Sequence, residues 1–124
     1  MTQGDPDPTQ SLDPFLAQVL EPDEEVHAAA RASDALMIVS DRRLLVAAGE
    51  RLALSLPIAE LRRVEFDIEK GRPATLVIVP EAATIEPQVL TIPAEQLAAA
   101  AQVLAIVGLR LAAMPIDYRD GADR

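Results

Sequence analysis

The sequence predicts a mainly β, α+β domain: seven short antiparallel strands, then one long C-terminal helix, with a short helix in front. Three observations carry this. Short apolar runs rich in β-branched residues recur at similar spacing between about Glu25 and Ile92. One run (residues 35–39) leads into Ser40-Asp41-Arg42-Arg43 and another (residues 44–48) leads out of it, which is a β-hairpin signature. At Pro93 the pattern changes from the strand period to a long Ala/Leu helix.

Taken in order, residues 1–10 carry Gly4, Pro6, Pro8 and two Asp, too little apolar surface to order themselves, and are expected to form an acidic disordered tail. The domain is expected over residues 11–113. Ser11 reads as an N-cap, and Leu12, Phe15, Leu16, Val19 and Leu20 at helical spacing predict a helix over 11–20, ended by Glu21-Pro22-Asp23-Glu24-Glu25. From Val26 the period is two, with Val26, Ala28, Ala30 and Ala32 on one face. Ser33-Asp34 turns the chain into a second strand, Leu36 to Val39. A third covers residues 44–48, and Gly49-Glu50 turns into a fourth on which Leu52, Leu54, Leu56 and Ile58 alternate with polar or small residues.

The fifth strand alternates most clearly. Val64, Phe66 and Ile68 are expected inside and Arg63, Glu65, Asp67 and Glu69 outside. Lys70-Gly71-Arg72-Pro73 leads to a sixth strand (75–79), residues 80–87 read as a loop, and the seventh strand covers 88–92. Pro93 stands where a helix begins, with Glu95 in its first turn, and the helix is predicted over 94–113, stopped by Met114-Pro115. Residues 114–124 read as a flexible tail.

The 124 residues make one domain, with a hydrophobic share of 50% that suffices for a core. The net charge of -9 is unevenly placed: residues 1–25 hold seven acids and no base, whereas residues 26–93 hold nine acids and eight bases. With three aromatic residues and one Lys, the chain lacks the basic field and stacking platforms that nucleic acid requires. The absence of Cys rules out a disulfide frame, a thiolate nucleophile and a sulfur-ligated zinc site. The N-terminal Met-Thr-Gln-Gly-Asp-Pro has neither a basic nor an apolar signal region, so a cytoplasmic location is the expectation.

Four short motifs occur in a telling order: Leu20-Glu21-Pro22-Asp23-Glu24-Glu25-Val26, Val39-Ser40-Asp41-Arg42-Arg43-Leu44-Leu45, Leu56-Pro57-Ile58 ahead of Leu61 to Glu65, and Leu90-Thr91-Ile92-Pro93 ahead of the helix. In that order and spacing, over roughly residues 20–112, the chain resembles the bacterial pleckstrin-homology-like (PH-like) domains. The resemblance implies two nearly orthogonal antiparallel sheets forming a half-open barrel with the C-terminal helix plugging one end. It does not imply one chemistry, because members of that family bind lipid headgroups, bind peptides or self-assemble.

Candidate sites are few. Arg42, Arg43, Arg62 and Arg63 could contact a phosphate or a lipid headgroup, since guanidiniums bind phosphate oxygens bidentately. Asp41, Glu60 and Glu65 nearby favour instead a turn with solvated, neutralised strand ends. Glu65, Asp67 and Glu69 alternate on one strand face, but strand neighbours two apart lie about 6.6 to 6.8 Å from each other, too far to converge on one cation. His27, the only histidine, has no nucleophile signature around it. The C-terminal helix is the anomaly. Leu97, Ala101, Leu104, Gly108 and Leu111 form an expected plugging stripe, and Val103, Ile106, Val107 and Leu109 add a second apolar sector, so the helix is expected to be covered on two sides.

These observations predict a non-catalytic protein-interaction or self-assembly module. Its interface is Val103, Ile106, Val107 and Leu109, and its partner is another protein or a second copy, as a homodimer or small ring. No cofactor, metal, small-molecule substrate or nucleic acid is expected. Peripheral binding to anionic lipid is the alternative, disfavoured by the net charge, and a carboxylate-based, metal-dependent enzyme is a more distant rival.

Overall fold

The computed structural model describes residues 14–114, so the predicted 1–10 tail, the Ser11 cap and residues 115–124 lie outside the described residues, while Met114, predicted as the start of the second tail, packs half-buried against the core. The chain begins with α1 (Pro14–Val19) and continues through β1 (Val26–Arg31), β2 (Leu36–Ser40), β3 (Arg43–Ala48) and β4 (Arg51–Pro57). A 3₁₀ turn, Ile58–Glu60, carries it into β5 (Leu61–Asp67), β6 (Ala74–Pro80) and β7 (Gln88–Ile92). A second 3₁₀ turn, Ala94–Gln96, then opens α2 (Leu97–Ala113). The strands form two antiparallel sheets, ordered β1-β2-β3-β4 and β5-β6-β7. The turn glycines Gly49 and Gly71 have φ of 65° and 79°, a left-handed backbone that favours residues without a Cβ.

The main core lies between the sheets. Alternation puts Ala74, Leu76 and Ile78 of β6 into it and leaves Thr75, Val77 and Val79 half-buried on the outside. In β2 all five residues are buried, because Met37 and Val39 face the main core while Leu36 and Ile38 face a second cluster with Leu45 and Ala47 of β3. Leu16 of α1, fully buried, caps that second cluster, flanked by Phe15 and Leu20. The short helix therefore covers the outer face of the first sheet, while α2 packs on the main core. The Ser33 N–H donates to the Thr91 carbonyl of β7 at 2.9 Å, which joins the two sheets, and the Arg31 N–H donates to Gln96 Oε1 at 2.9 Å, which ties β1 to the turn that opens α2.

Two strand expectations change. The ladder between β1 and β2 shifts register between Val26 and Ala28, so Val26 joins the outer cluster while Ala28, Ala30 and Ala32 stay inside. On β5, Val64 and Phe66 pack half-buried on the core, but Ile68 is 61% exposed, because the strand and its pairing end at Asp67 opposite Thr75.

The face of α2 that enters the barrel also differs from the expected one. It is built on Ala100, Val103 and Val107, all buried, with Leu97, Leu104 and Leu111 half-buried at its flanks. At 3.6 residues per turn this is roughly a quarter-turn from the predicted stripe, of which Ala101 and Gly108 are exposed. The cause is the surface beneath. Helix α2 packs chiefly on β1, whose inward residues are all alanine, so the closest approach is made by its narrow Ala/Val side while the leucines fill the margins. Val103 and Val107 are thus core residues, which removes both from the predicted interface; Ile106 is half-buried against the same core, and Leu109 remains outside at 72% exposure.

Candidate functional site

The richest polar arrangement among the described residues surrounds the β2–β3 turn. Ser40, fully buried, accepts the Arg42 and Arg43 N–H groups on its hydroxyl oxygen (3.1 Å each) and donates to Glu24 Oε2 at 2.6 Å. Arg43 closes a two-pronged pair on the same carboxylate, Nε to Oε2 at 2.9 Å and Nη2 to Oε1 at 2.7 Å. Two further hydrogens go to the Val19 carbonyl at the end of α1 and to Ser55 Oγ on β4. Asp41 fastens the same segment through the Glu25 N–H, accepted at 3.0 Å. The Arg43 guanidinium, helped by the Ser40 hydroxyl and the Glu21 N–H, holds the Glu24 carboxyl down at about 2 although burial pushes it up. The Glu-Pro-Asp-Glu-Glu lead-in and the Ser-Asp-Arg-Arg turn are therefore two halves of one internal lock that ties α1 to the first sheet.

This accounting bears on the candidate anion contacts. Arg43 is committed internally, Arg42 pairs with Asp23 at 2.9 Å and Asp41 at 3.6 Å, and Arg63 pairs with Glu65 at 2.6 Å. Hydrogen bonding to Arg42 lowers the Asp23 carboxyl from its ordinary value. Arg62 is exposed with no ion pair among the described residues. Three of the four arginines thus already have carboxylate partners.

The remaining candidates are also placed. His27 lies at the start of β1, its Nδ1 accepting from Arg110 Nη2 of α2 and its Nε2 3.8 Å from Glu25 Oε1; Arg110 Nη1 donates to the Ser40 carbonyl. Glu65, Asp67 and Glu69 are exposed, and among the described residues no group of three or more His, Cys, Asp or Glu side chains could share a metal ion. An open cleft of about 310 Å³ beside Asp67 and Glu69 is completed by Arg72, Pro73, Thr75 and Thr91, a set with hydroxyls and charges but no base positioned on a nucleophile.

What is left is the outer side of α2. Ala98, Ala101, Ala105, Gly108, Leu109 and Ala112 are exposed along it, Gln102 is its one polar member, and Arg110 is turned away toward His27 and Ser40. The segment Ala94–Ala113 is long and apolar enough to cross a membrane by length and composition; here its other side is anchored in the barrel by Ala100, Val103 and Val107.

Two antiparallel sheets of four and three strands, closed by a C-terminal helix, are matched by the crystal structure of a pleckstrin homology domain from Shewanella amazonensis SB2B. The match has a TM-score of 0.54 and 20% sequence identity, and covers 72% of this chain and 86% of that one. The fold is PH-like. No family model and no curated protein matches the chain. At that identity the likeness speaks for the PH-like architecture alone, and function has to be argued from the surface the architecture presents.

Proposed function

We propose that this PH-like domain is a non-catalytic protein-interaction module that docks a protein through the outer face of α2, with a second copy of the chain as the first partner to test. The observation that carries the reading is that face: Leu109 is 72% exposed amid Ala98, Ala101, Ala105, Gly108 and Ala112, with no charged side chain on it. Burying uncharged apolar surface is the general source of protein association, and small residues let a partner helix come close. The pairing of Arg42, Arg43 and Arg63 with carboxylates supports a protein partner over an anionic ligand. A cytoplasmic location belongs to the same proposal.

The test is light scattering over a concentration series on the parent and on Leu109→Glu and Ala105→Glu. A parent mass that rises above the monomer, and falls back in both variants at unchanged circular dichroism, is the expected result. A parent that stays monomeric throughout would remove self-association, and a parent and variants that associate equally would remove this face.

A further inference from the structure

Arg110 is the one charged residue in α2, and both of its contacts lie across the seam where β1 begins and β2 ends. A guanidinium has only donors. His27 Nδ1 therefore has to offer a lone pair to Arg110 Nη2, which leaves the ring proton on Nε2, toward the Glu25 carboxylate 3.8 Å away. The contact exists only with a neutral imidazole. Histidine is the side chain whose charge changes between about pH 5 and 8.

We propose that His27 is a proton-operated latch on the C-terminal end of α2: neutral, it receives Arg110 and holds the helix end to the sheet; protonated, it releases Arg110 and the last turns of the helix loosen. Every charged group facing the ring bears on the sign. From the lead-in, Glu25 attracts an imidazolium through Nε2, but its side chain is 78% exposed and screened by water. From α2, Arg110 meets Nδ1 directly, where a proton would oppose its own hydrogens. On the β2–β3 turn, Asp41 is engaged by the Glu25 N–H and Arg42 by Asp23, and in the lead-in Glu24 is engaged by Arg43 and Ser40. A hydrogen on Nδ1 would face the Arg110 hydrogens, so this contact cannot survive protonation of the ring. The Ser40 carbonyl still holds Arg110 after protonation and Val103 and Val107 stay buried, so the end loosens while the body of the helix remains docked. Exposed Gly108, Leu109 and Ala112 lie on the loosened turns, so the latch regulates the docking face proposed above; its biological purpose rests on that reading, its existence does not.

The test is amide hydrogen exchange by NMR on the full chain at pH 8 and pH 5, with each rate expressed relative to the intrinsic exchange rate at that pH, for the parent, His27→Asn and Arg110→Met. Asn places a carbonyl oxygen where Nδ1 stands and cannot titrate, so it keeps the acceptor at both pH values. In the parent, protection across residues 109–113 is expected to fall about tenfold from pH 8 to pH 5, the scale of one hydrogen bond to a charged group, relative to unchanged protection at Val103 and Val107. His27→Asn should hold the higher protection at both pH values and Arg110→Met the lower. Equal protection of the parent at the two pH values, or a pH step that survives in His27→Asn, would overturn the latch. A step of the expected kind in a chain that shows no association through Leu109 leaves the latch standing and removes the docking reading.

Discussion

Glu24→Gln isolates the ion pair that closes the β2–β3 turn, because Gln keeps the shape and one acceptor but cannot be charged. In the folded chain the Arg43 guanidinium holds the Glu24 carboxyl at about 2, against an ordinary value of 4.5. The folded value lies below the unfolded one, so the stabilisation is fully present above 4.5 and is lost as pH falls through that interval toward 2. At about 1.36 kcal/mol per pH unit the interval corresponds to about 3 kcal/mol. Little of this is discounted for solvent, since the Glu24 side chain is 0% exposed and that of Arg43 18%.

The assay is urea unfolding of the parent and Glu24→Gln from neutral pH down to about pH 2.5. Subtracting one from the other cancels every other carboxylate, including the acids of the N-terminal segment. The parent is expected to be the more stable at neutral pH, and the gap to narrow by about 2.5 kcal/mol by pH 2.5, most of the narrowing falling below 4.5. A gap that stays constant with pH would mean that the pair does not stabilise the turn through its charge.

Leu16→Ala should cost about 2 to 5 kcal/mol in denaturant unfolding, because the fully buried side chain seals the outer face of the first sheet; a change below about 0.5 kcal/mol would show that α1 is not docked there. Leu76→Ala, at 0% exposure, should cost the same about 2 to 5 kcal/mol, whereas Ile68→Ala, at 61%, should stay within about 0.5 kcal/mol; similar losses at both positions would contradict the end of β5 at Asp67. Gly108→Ala should stabilise the monomer by about 1 kcal/mol, because a helical Cβ there meets nothing within 4 Å, and should weaken association if a partner helix packs against that point. Vesicles containing phosphatidylserine should not sediment the chain at physiological salt, given its net charge of -9 and the pairing of Arg42, Arg43 and Arg63; salt-sensitive sedimentation lost in Arg62→Ala/Arg63→Ala would favour the lipid alternative.

The strands could be read from the sequence because their signal is local. Period-two alternation on β4, β5 and β6 marks one covered and one open face, and Gly49 and Gly71 mark two of the turns. The length of α2 was equally plain. Its orientation was not, because a helix apolar nearly all round carries little directional information, and what selects Ala100, Val103 and Val107 is the alanine face of β1, far earlier in the chain. The place of α1 was available but indirect: Leu36, Met37, Ile38 and Val39 run without alternation, as strands do when both faces are covered, and α1 covers the second face. The register shift at Val26 and the pairing of Glu24 with Arg43 across nineteen positions depend on three-dimensional closure, which no local pattern reports.

The arginine-rich turn illustrates why residue type alone overstates chemistry in a chain like this one. Arg42-Arg43 suggests an anion site until the lead-in acids are seen to have a structural need for them: α1 is six residues long, too short to hold itself, and is retained by Leu16 on one side and by Arg43 reaching the Val19 carbonyl on the other. Once those charges are committed, the ion-paired turn reads as the joint between α1 and the first sheet. The outer side of α2 is left without an internal partner, and Arg110 of the same helix is bound to Ser40 of that same turn and to His27. The lock that fixes the N-terminal helix and the latch that fixes the C-terminal one meet at a single buried serine. The lock takes the Ser40 hydroxyl and Arg110 takes its backbone carbonyl. Ser40→Ala should therefore release Glu24 and loosen α1 while the Arg110 contact stays in place, and amide exchange measured on both helices would show an effect confined to the first.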